Sequence, residues 1–363
     1  MATEVSTKVT EDPPTFQLRA ETSINYDKEN YKYESYLPHF VPGTQPPLEE
    51  FHHDDVGLRA DPTKENLLGA TGVSYEEVTP AVGTEIRGIQ LSQLSFAQLD
   101  ELALFAAERG VVIFRDQDFA DIGPEKQKAY GRHFGSLHVH QMGGQIKDYP
   151  ELLPVYRDFT AGAVDNEIKD NVTSVKWHSD MSYEIIQQRD GYDNVLASEH
   201  SGIWRGYSLP LHHSSLLRSL RNLSYVTSQL EGCSLRLLSS FGERPRDRYI
   251  REPIETIHPV VRTHPVTKQF SLYVNRLYTK RIVGMKQEES AALLGFLFDH
   301  IERGQDWHLR VHWRPGTVVV YDNRNTQHSA LRDFRVEEGT TRRHMLRITP
   351  QAERPYFDQF NSS

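Results

Sequence analysis

The chain has 363 residues, and its 41 Lys and Arg against 50 Asp and Glu leave a formal net charge of -9. This acidic balance argues against general nucleic-acid binding, which requires a basic face. The single cysteine, Cys233, excludes an intramolecular disulfide framework and a metal site made of thiolates alone. No apolar run approaches the roughly 20 residues that span a bilayer, and the N-terminal stretch lacks an apolar signal core, so we expect a cytoplasmic protein without a membrane partner.

The first 70 residues differ in composition from the rest of the chain. They mix Pro, acidic residues and tyrosines without a sustained hydrophobic period, as in VPGTQPPLEEFHHDD. We therefore predict an N-terminal polar arm over residues 1–70, partly disordered at its start, whose tyrosines wrap the following domain. The alternative is a flexible tail throughout. One large domain over residues 71–357 and a short tail over 358–363 complete the predicted organisation.

The first predicted elements of the domain are a helix and a strand. Ser95 and Gln98 form a capping box ahead of an apolar stripe at helical spacing, and Gly110 ends that helix. The following segment, VVIFRD, predicts a buried strand. The segment GPEKQKAYGRHFG predicts a second helix that reaches to about Phe134.

The second half of the chain is richer in strands. VVRTHP, QFSLYVN, TVVVYDN and MLRIT are short β-branched segments separated by turn residues, and one long helix over Gln287–Arg303 interrupts them. Many short strands with few helices and no βαβ alternation predict a mainly β fold with flanking helices, of the double-stranded β-helix or jelly-roll kind. The sequence contains neither of the glycine-rich loops that bind phosphate.

A metal site is predicted by two remote segments. In KWHSDMSYE, His178 and Asp180 lie two residues apart, and on an extended strand such residues project from the same face. His328 follows a buried strand and a polar turn in VVVYDNRNTQHSA. Two histidines and one carboxylate form the facial triad of non-haem Fe(II) oxygenases, which leaves positions for a bidentate co-substrate and dioxygen. The His-x-Asp pair alone is weak evidence for a metal site, since ordinary hydrogen bonding explains such a pair among 17 histidines.

Two arginines on the last predicted strand indicate that the site binds anions. Arg343 and Arg347 lie four residues apart in RHMLR, so on a strand both guanidinium groups point to one side. Arginine forms planar, bidentate pairs with carboxylates and sulfonates, so two inward arginines predict two anions to hold. The alternative is a solvated basic face.

With these segments the sequence resembles the taurine dioxygenase-like (TauD/TfdA) Fe(II)/2-oxoglutarate-dependent dioxygenases, and within them the fungal sulfonate dioxygenases. The resemblance runs from about Val78 to Pro355. The matching segments, in chain order, are VVIFRDQDF, HFGSLHVH, WHSD, HPVVRTHP, LYVNRLYTKRIV, YDNRNTQHSA and RHMLRIT. Their number and order make the resemblance specific.

The resemblance implies a role for each matched residue. By it, the Fe(II) ligands are His178, Asp180 and His328. Arg343 would bind the distal carboxylate of 2-oxoglutarate, Arg347 and His140 would hold a substrate sulfonate, and Tyr278 would line the substrate pocket. The asparagine that the taurine enzyme has before its WHxD segment is not matched, since Ser174 stands there, which puts taurine itself in question.

One stretch departs from the family. Between about Gln187 and Phe241 the resemblance disappears, and the Gly-Gly-Asp-Thr motif, whose Thr also binds 2-oxoglutarate, is missing. Trp204–Ser208 can be encoded tgg-cgg-gga-tac-tct, and that string read one nucleotide later gives Gly-Gly-Asp-Thr. We therefore hypothesise that residues from about 188 to about 240 are a frameshifted translation, so that Cys233 has no role. The alternative is a divergent insertion.

The resemblance implies a dioxygenase that hydroxylates a small anionic substrate. An alkyl sulfonate is the expected substrate, and its hydroxylation would release sulfite and an aldehyde. The same chemistry on a sulfate ester or on an amino or carboxylic acid is the alternative, since Arg347 accepts any of these anions. An inactive paralogue or a mistranslated chain is a further alternative, because the Gly-Gly-Asp-Thr region is missing. A metal-dependent binding protein is the alternative outside the oxygenases. The sequence leaves open whether the chain forms a homo-oligomer.

Overall fold

The computed structural model describes residues 31–39, 47–140, 144–158, 176–185, 190–198, 220–228, 254–330 and 342–358 of the chain. Its helices are α1 (Glu65–Leu68), α2 (Phe96–Arg109), α3 (Pro124–Arg132) and α4 (Gln287–Arg303), with short 3-10 turns at Glu34–Tyr36, Val56–Arg59, Leu91–Gln93 and Gln305–Trp307. Its strands are β1 (Ser74–Glu77), β2 (Thr84–Arg87), β3 (Val111–Phe114), β4 (Leu152–Asp158), β5 (Asp190–Ser198), β6 (Ser224–Ser228), β7 (Glu255–Pro259), β8 (Val261–Thr263), β9 (Phe270–Leu272), β10 (Thr279–Ile282), β11 (Val318–Asp322) and β12 (Arg342–Ile348).

Most strands join one seven-stranded sheet in the order β1-β2-β3-β11-β5-β12-β4. A three-stranded sheet, β10-β6-β7, and a two-stranded sheet, β8-β9, complete the β structure of the described residues. Strands β2 and β3 run parallel and are connected through α2, so the fold contains a βαβ crossover. The expectation of no βαβ unit was wrong at this point because Ile86 is the only apolar residue of β2, which hides the strand from a pattern search.

Helix α2 follows from its cap and its apolar stripe. The Ser95 Oγ accepts a hydrogen bond from the Gln98 backbone N–H, and the Gln98 side chain accepts one from the Ser95 backbone N–H. The predicted capping box is therefore confirmed. The buried stripe comprises Leu99, Leu102, Phe105 and Ala106. Gly110 ends the helix at a φ of 71°, in the left-handed region that favours glycine.

Strand β11 lies between β3 and β5 and separates two apolar clusters. Val318 and Val320 pack in the cluster that contains the buried stripe of α2. Val319 and Tyr321 belong to the second cluster, together with Met345 of β12. Successive strand residues point to opposite faces of a sheet, and this alternation brings Tyr321 to the same side as Met345.

Strand β12 repeats the same division. Leu346 and Ile348 pack in the first cluster, whereas Met345 packs in the second. Arg343 and Arg347 therefore lie on the Met345 face of the strand, in agreement with their spacing in the sequence.

The described part of the predicted arm contacts the domain. The hydroxyl of Tyr31 lies 2.7 Å from Nδ1 of His344 on β12, and Nε2 of His344 lies 3.0 Å from the backbone oxygen of Tyr36. Val56 and Leu67 belong to the same core cluster as α2 and β11. Residues before position 70 thus pack on the main core. The division into an arm over 1–70, a domain over 71–357 and a tail over 358–363 stays a prediction.

Several predicted features lie outside the described residues. These are the start of the arm over 1–30, Ser174, Trp204–Ser208, Cys233 and residues 359–363 of the tail. None of the helices in the described part of the chain has the length and hydropathy of a membrane span.

Candidate metal centre

Three side chains with metal-binding atoms meet at one buried point. His178, Asp180 and His328 each offer one ligand atom, and these atoms all lie within 4.8 Å of one another. Nε2 of His178 lies 3.5 Å from Oδ1 of Asp180, and Nε2 of His328 lies 3.5 Å from Oδ2 of the same carboxylate. The three residues are only 6–8% exposed. The structure thus brings together the three residues that the sequence selects as ligands.

Backbone hydrogen bonds connect the two segments that carry these residues. The N–H of His178 donates to the oxygen of His328 at 3.1 Å, and the N–H of His328 donates to the oxygen of His178 at 2.8 Å. The expectation that Asp180 lies on an extended strand was wrong. The chain turns from Asp180 to Tyr183, and Met181 adopts a φ of 52°. The carboxylate still reaches the imidazole because the turn begins only two residues after His178, which pairs with His328 in the bridge.

One residue of β11 and one of the turn that follows it hold Asp180 in place. The Asn323 side chain accepts a hydrogen bond from the Asp180 N–H at 2.8 Å and donates one to the Asp180 backbone oxygen at 2.9 Å. The Tyr321 hydroxyl donates to Oδ2 of Asp180 at 3.0 Å. Neither residue was predicted from the sequence. The available signal for Tyr321 was the alternation along β11, which sends it to the side of the sheet where Arg343 and Arg347 lie. Asn323 lies in the turn after the strand, where this alternation gives no signal.

The electrostatic environment favours metal-binding ionisation states. Burial opposes ionisation of Asp180, but the positive charge of Arg347 and the neighbouring imidazoles outweigh it and hold the pKa of this carboxyl well below its usual value. Burial, with the charges of His178 and Arg347, lowers the pKa of His328 well below its usual value. Nδ1 of His178 lies 2.8 Å from the oxygen of Lys176, so Nδ1 carries the proton that this bond requires and Nε2 faces the site.

The donor set fits a ferrous ion. Two imidazole nitrogens and one carboxylate on one side of an ion, with the remaining positions open, are the ligand set of non-haem Fe(II) oxygenases. An ionised carboxylate and a deprotonated imidazole nitrogen are also the forms in which these side chains bind a metal. The residues that would hold iron are therefore His178, Asp180 and His328.

The two predicted anion-binding arginines differ in their contacts. Nη1 of Arg347 donates to Oδ2 of Asp180 at 2.8 Å, and the Arg347 side chain is 15% exposed. Nε of Arg343 donates to Sδ of Met345 at 3.3 Å. The structure thus brings Arg347 directly to a predicted ligand. Arg343 lies four residues earlier on the same face, and its role in binding 2-oxoglutarate stays a prediction.

Tyr278 stands beside the predicted ligands. Its ring packs edge-on against the ring of His178, with 5.9 Å between centroids, and against Tyr183 at 4.9 Å. Tyr278, Tyr183 and Met181 form a small buried cluster. This position is compatible with the predicted part of Tyr278 in a substrate pocket.

His140 is linked to the site through its neighbours. Its ring lies edge-on to that of His138, with 6.3 Å between centroids. His138 is buried, and its Nε2 lies 4.0 Å from Oε1 of Glu184, which follows the turn that begins at Asp180. The role of His140 in holding a substrate anion stays a prediction.

A buried ion network, which was not predicted from the sequence, adjoins the end of β11. Nη2 of Arg324 donates to Oδ2 of Asp322 at 2.6 Å, and Nη1 donates to Oδ2 of Asp55 at 2.6 Å. His264 and Glu353 also belong to the network, since Nε2 of His264 lies 3.0 Å from Asp322 Oδ2 and Glu353 Oε2 accepts from Arg324 at 3.4 Å. The network ties the segment before residue 70 to the turn that leads to the third predicted ligand.

Comparison with known proteins assigns the chain to a family. The family described as taurine catabolism dioxygenase TauD, TfdA family matches residues 74–189 and 209–349. The unmatched residues 190–208 lie within the segment of the frameshift hypothesis, and the match resumes at 209, inside that segment. The frameshift itself stays a hypothesis.

Two relatives illustrate the similarity. An alpha-ketoglutarate-dependent sulfonate dioxygenase of Saccharomyces cerevisiae is 39% identical over 345 residues, which cover 91% of this chain and 80% of the relative. An alpha-ketoglutarate-dependent sulfate ester dioxygenase of Pseudomonas putida is 27% identical over 297 residues, which cover 79% of this chain and 92% of the relative.

A solved structure shares the fold. The crystal structure of a taurine dioxygenase from Burkholderia xenovorans aligns with a TM-score of 0.60 and 23% identity, and the alignment covers 79% of this chain and 93% of that one. The predicted mainly β jelly-roll fold with flanking helices is thereby confirmed. With the family match over most of the domain and a relative 39% identical, the chain belongs to the TauD/TfdA family of 2-oxoglutarate-dependent dioxygenases.

Proposed function

We propose that this protein uses Fe(II), 2-oxoglutarate and dioxygen to hydroxylate a small anionic substrate, with an alkyl sulfonate as the substrate class. The observation that carries the proposal is the buried meeting point of His178, Asp180 and His328, with the guanidinium of Arg347 2.8 Å from the carboxylate. A ligand triad beside a cation suits an enzyme that must hold an oxidising centre and an anion close together.

When bound, iron and 2-oxoglutarate supply the oxidation of a substrate C–H bond by dioxygen, with succinate and carbon dioxide as co-products. The protein supplies binding and orientation. In this proposal Arg343 holds the distal carboxylate of 2-oxoglutarate, while Arg347 and His140 hold the substrate anion. Tyr278 limits the space beside His178 and excludes water from it.

The sulfonate class is supported by two arguments. The Saccharomyces cerevisiae relative, which aligns over 91% of this chain, is a sulfonate dioxygenase. A guanidinium group also matches the oxygens of a sulfonate through paired hydrogen bonds. Hydroxylation of the carbon that carries the sulfonate gives an unstable product, in which the C–S bond breaks, sulfite leaves and the hydroxylated carbon becomes an aldehyde.

A sulfate ester is the second candidate substrate. The Pseudomonas putida relative is described as a sulfate ester dioxygenase, and Arg347 accepts a sulfate as well as a sulfonate. An amino or carboxylic acid is the third candidate on the same chemical ground. An inactive paralogue is the alternative of another class, since the Gly-Gly-Asp-Thr segment is missing from the sequence.

The test measures succinate and sulfite separately. Purified protein, supplied with Fe(II) and 2-oxoglutarate, is incubated with a panel of alkyl sulfonates, alkyl sulfates and carboxylates. We expect succinate formation that requires both Fe(II) and 2-oxoglutarate, and sulfite release with alkyl sulfonates. Sulfate release with alkyl sulfates in place of sulfite would move the substrate to the second candidate. No succinate with any compound would favour the inactive paralogue.

The cellular setting is also a proposal. We propose that the enzyme is cytoplasmic. Its proposed partners are small molecules, namely the anionic substrate, 2-oxoglutarate and dioxygen, without nucleic acid or membrane. A homo-oligomer is left open, and size-exclusion chromatography with light scattering decides it.

A further inference from the structure

We propose that Tyr321 is a positioning residue of the metal centre and that, together with Asn323, it fixes the Asp180 carboxylate in its ligating orientation. The inference rests on the metal role proposed above for Asp180. It adds two residues to that site, Tyr321 from strand β11 and Asn323 from the turn that follows it.

Tyr321 contacts Asp180 directly, and the contact is buried. Its hydroxyl donates a hydrogen bond to Oδ2 of Asp180 at 3.0 Å, and the residue is 1% exposed. The ring packs in an apolar cluster with Val319 and Met345, so it has little room to move. A hydrogen bond to a charged acceptor is strong, and the low local dielectric strengthens it further.

The same ring lies near a second predicted ligand. The centroids of the Tyr321 and His328 rings are 6.0 Å apart, in an edge-on arrangement. Tyr321 thus contacts Asp180 through its hydroxyl and His328 through its ring. One rigid side chain therefore contacts two predicted metal ligands that lie far apart in the sequence.

Asn323 acts on the backbone of Asp180. Its amide oxygen accepts from the Asp180 N–H, and its amide nitrogen donates to the Asp180 carbonyl. This two-bond contact fixes the peptide units on both sides of the Asp180 side chain at the start of the turn. Tyr321 lies on β11 and Asn323 lies in the turn directly after it, so one short segment supplies both contacts to Asp180.

Arg347 is a less constant support for the carboxylate. It also donates to Oδ2 of Asp180, but in the proposed function it must bind the substrate anion. The proposed function gives Tyr321 no part in substrate binding, so we expect its hydrogen bond to persist with and without substrate. Residues that orient a metal ligand from outside the coordination sphere change metal affinity by about 10- to 100-fold when they are replaced.

The test titrates purified apoprotein with Co(II) and follows the visible absorption of the bound ion, which reports on its coordination. Tyr321→Phe removes the hydroxyl and keeps the ring, and Asn323→Ala removes the backbone contact. Tyr36→Phe is the matched control, because the buried Tyr36 donates its hydroxyl to Gln127 instead. Circular dichroism establishes that each variant is folded.

We expect both Tyr321→Phe and Asn323→Ala to weaken Co(II) binding by about tenfold or more and to change the spectrum of the bound ion, while Tyr36→Phe leaves both unchanged. Wild-type affinity and spectrum in folded Tyr321→Phe overturn the role of Tyr321. If Tyr321→Phe does not fold, Asn323→Ala decides whether the end of β11 positions Asp180. A wild-type protein that binds no Co(II) contradicts the proposed function instead, so the two failures are distinct.

Discussion

The guanidinium of Arg347 donates a hydrogen bond of 2.8 Å to Oδ2 of Asp180, although the two residues lie 167 positions apart in the chain. Arg347 therefore has two partners in the proposed function, the predicted ligand Asp180 and the anionic group of the substrate. A substrate anion that approaches Arg347 is thereby brought next to the metal centre. One side chain, Arg347, thus takes part both in substrate binding and in the orientation of the predicted metal ligand Asp180.

Replacing Arg347 should affect the substrate more than the co-substrate. In Arg347→Gln the charge that binds the substrate anion is lost, which costs about 2 kcal/mol or more for a charge pair out of contact with water. We expect the substrate KM to rise about 30-fold or more and the 2-oxoglutarate KM to change by less than about threefold. Steady-state kinetics with each compound varied in turn measures both. Equal increases would contradict the assignment.

Replacing Arg343 should give the opposite pattern. Arg343→Gln removes the proposed partner of the distal carboxylate of 2-oxoglutarate, so we expect the 2-oxoglutarate KM to rise by about tenfold or more. The exposed Arg354, which pairs with Glu50 at the surface, provides the control Arg354→Gln. Kinetics with saturating substrate measures the effect. An unchanged 2-oxoglutarate KM would assign this carboxylate to another residue.

His258 should make the fold less stable in mild acid. Burial lowers the pKa of His258 to about 4, below its ordinary value of 6.5, so the unfolded chain binds a proton more readily than the folded one. Its contribution is therefore fully present above about pH 6.5 and is lost as the pH falls toward 4. At pH 5 the loss relative to pH 7.5 is about 2 kcal/mol.

The variant His258→Phe tests this effect. We expect the free energy of unfolding in urea to depend less steeply on pH between 7.5 and 5 than in the wild type. Part of the slope should remain, because burial also lowers the pKa of His264. The exposed His312 provides the control His312→Phe. A wild-type slope in His258→Phe would show that another group is responsible.

The buried ion network should be sensitive to the loss of one partner. Arg324→Met leaves the carboxylates of Asp322 and Asp55 without their shared cation in a buried environment. Breaking a buried pair in this way destabilises by about 3–5 kcal/mol. The surface pair of Arg354 and Glu50 is about half exposed, so Arg354→Met should cost at most about 1 kcal/mol. Urea unfolding of both variants compares the two values directly.

The coding sequence should contain the missing motif. If residues from about 188 to about 240 are frameshifted, the transcript across codons 185 to 245 reads Gly-Gly-Asp-Thr in the neighbouring frame at Trp204–Ser208. A chain with the restored frame should bind 2-oxoglutarate more tightly, because the threonine hydroxyl adds a hydrogen bond to it. Isothermal titration of both chains in the presence of Co(II) measures the difference. Codons that cannot encode the motif in that frame would contradict the frameshift and leave a divergent insertion as the explanation of this segment.

The parts of the fold with local signals could be predicted from the sequence. Helix α2 has its capping box, its apolar stripe and the terminating Gly110 within 16 consecutive positions, and the structure has all three. Helix α4 ends at Arg303 as its pattern indicates. Strand β2 was missed because only Ile86 marks its buried face, and its place in the sheet comes from pairing with β3.

The metal site was predicted in part. The chemistry of two histidines and one carboxylate selected the three residues that the structure brings together. The local path at Asp180 was wrong because a hydrogen-bonded turn, fixed by Asn323 from a remote segment, takes the place of an extended strand. Asp55 and Arg324 could not be paired from the sequence, since 269 positions separate them and neither spacing nor periodicity relates them.

The reciprocal hydrogen bonds between His178 and His328 use backbone atoms only and leave both imidazoles out of the connection. Alignment of the two segments is therefore set by the main chain, and the identity of the side chains at these positions can change without shifting one segment against the other. We expect this to make the centre a tolerant frame for redesign, in which a ligand exchanged for another donor would alter the metal preference while the surrounding architecture is retained.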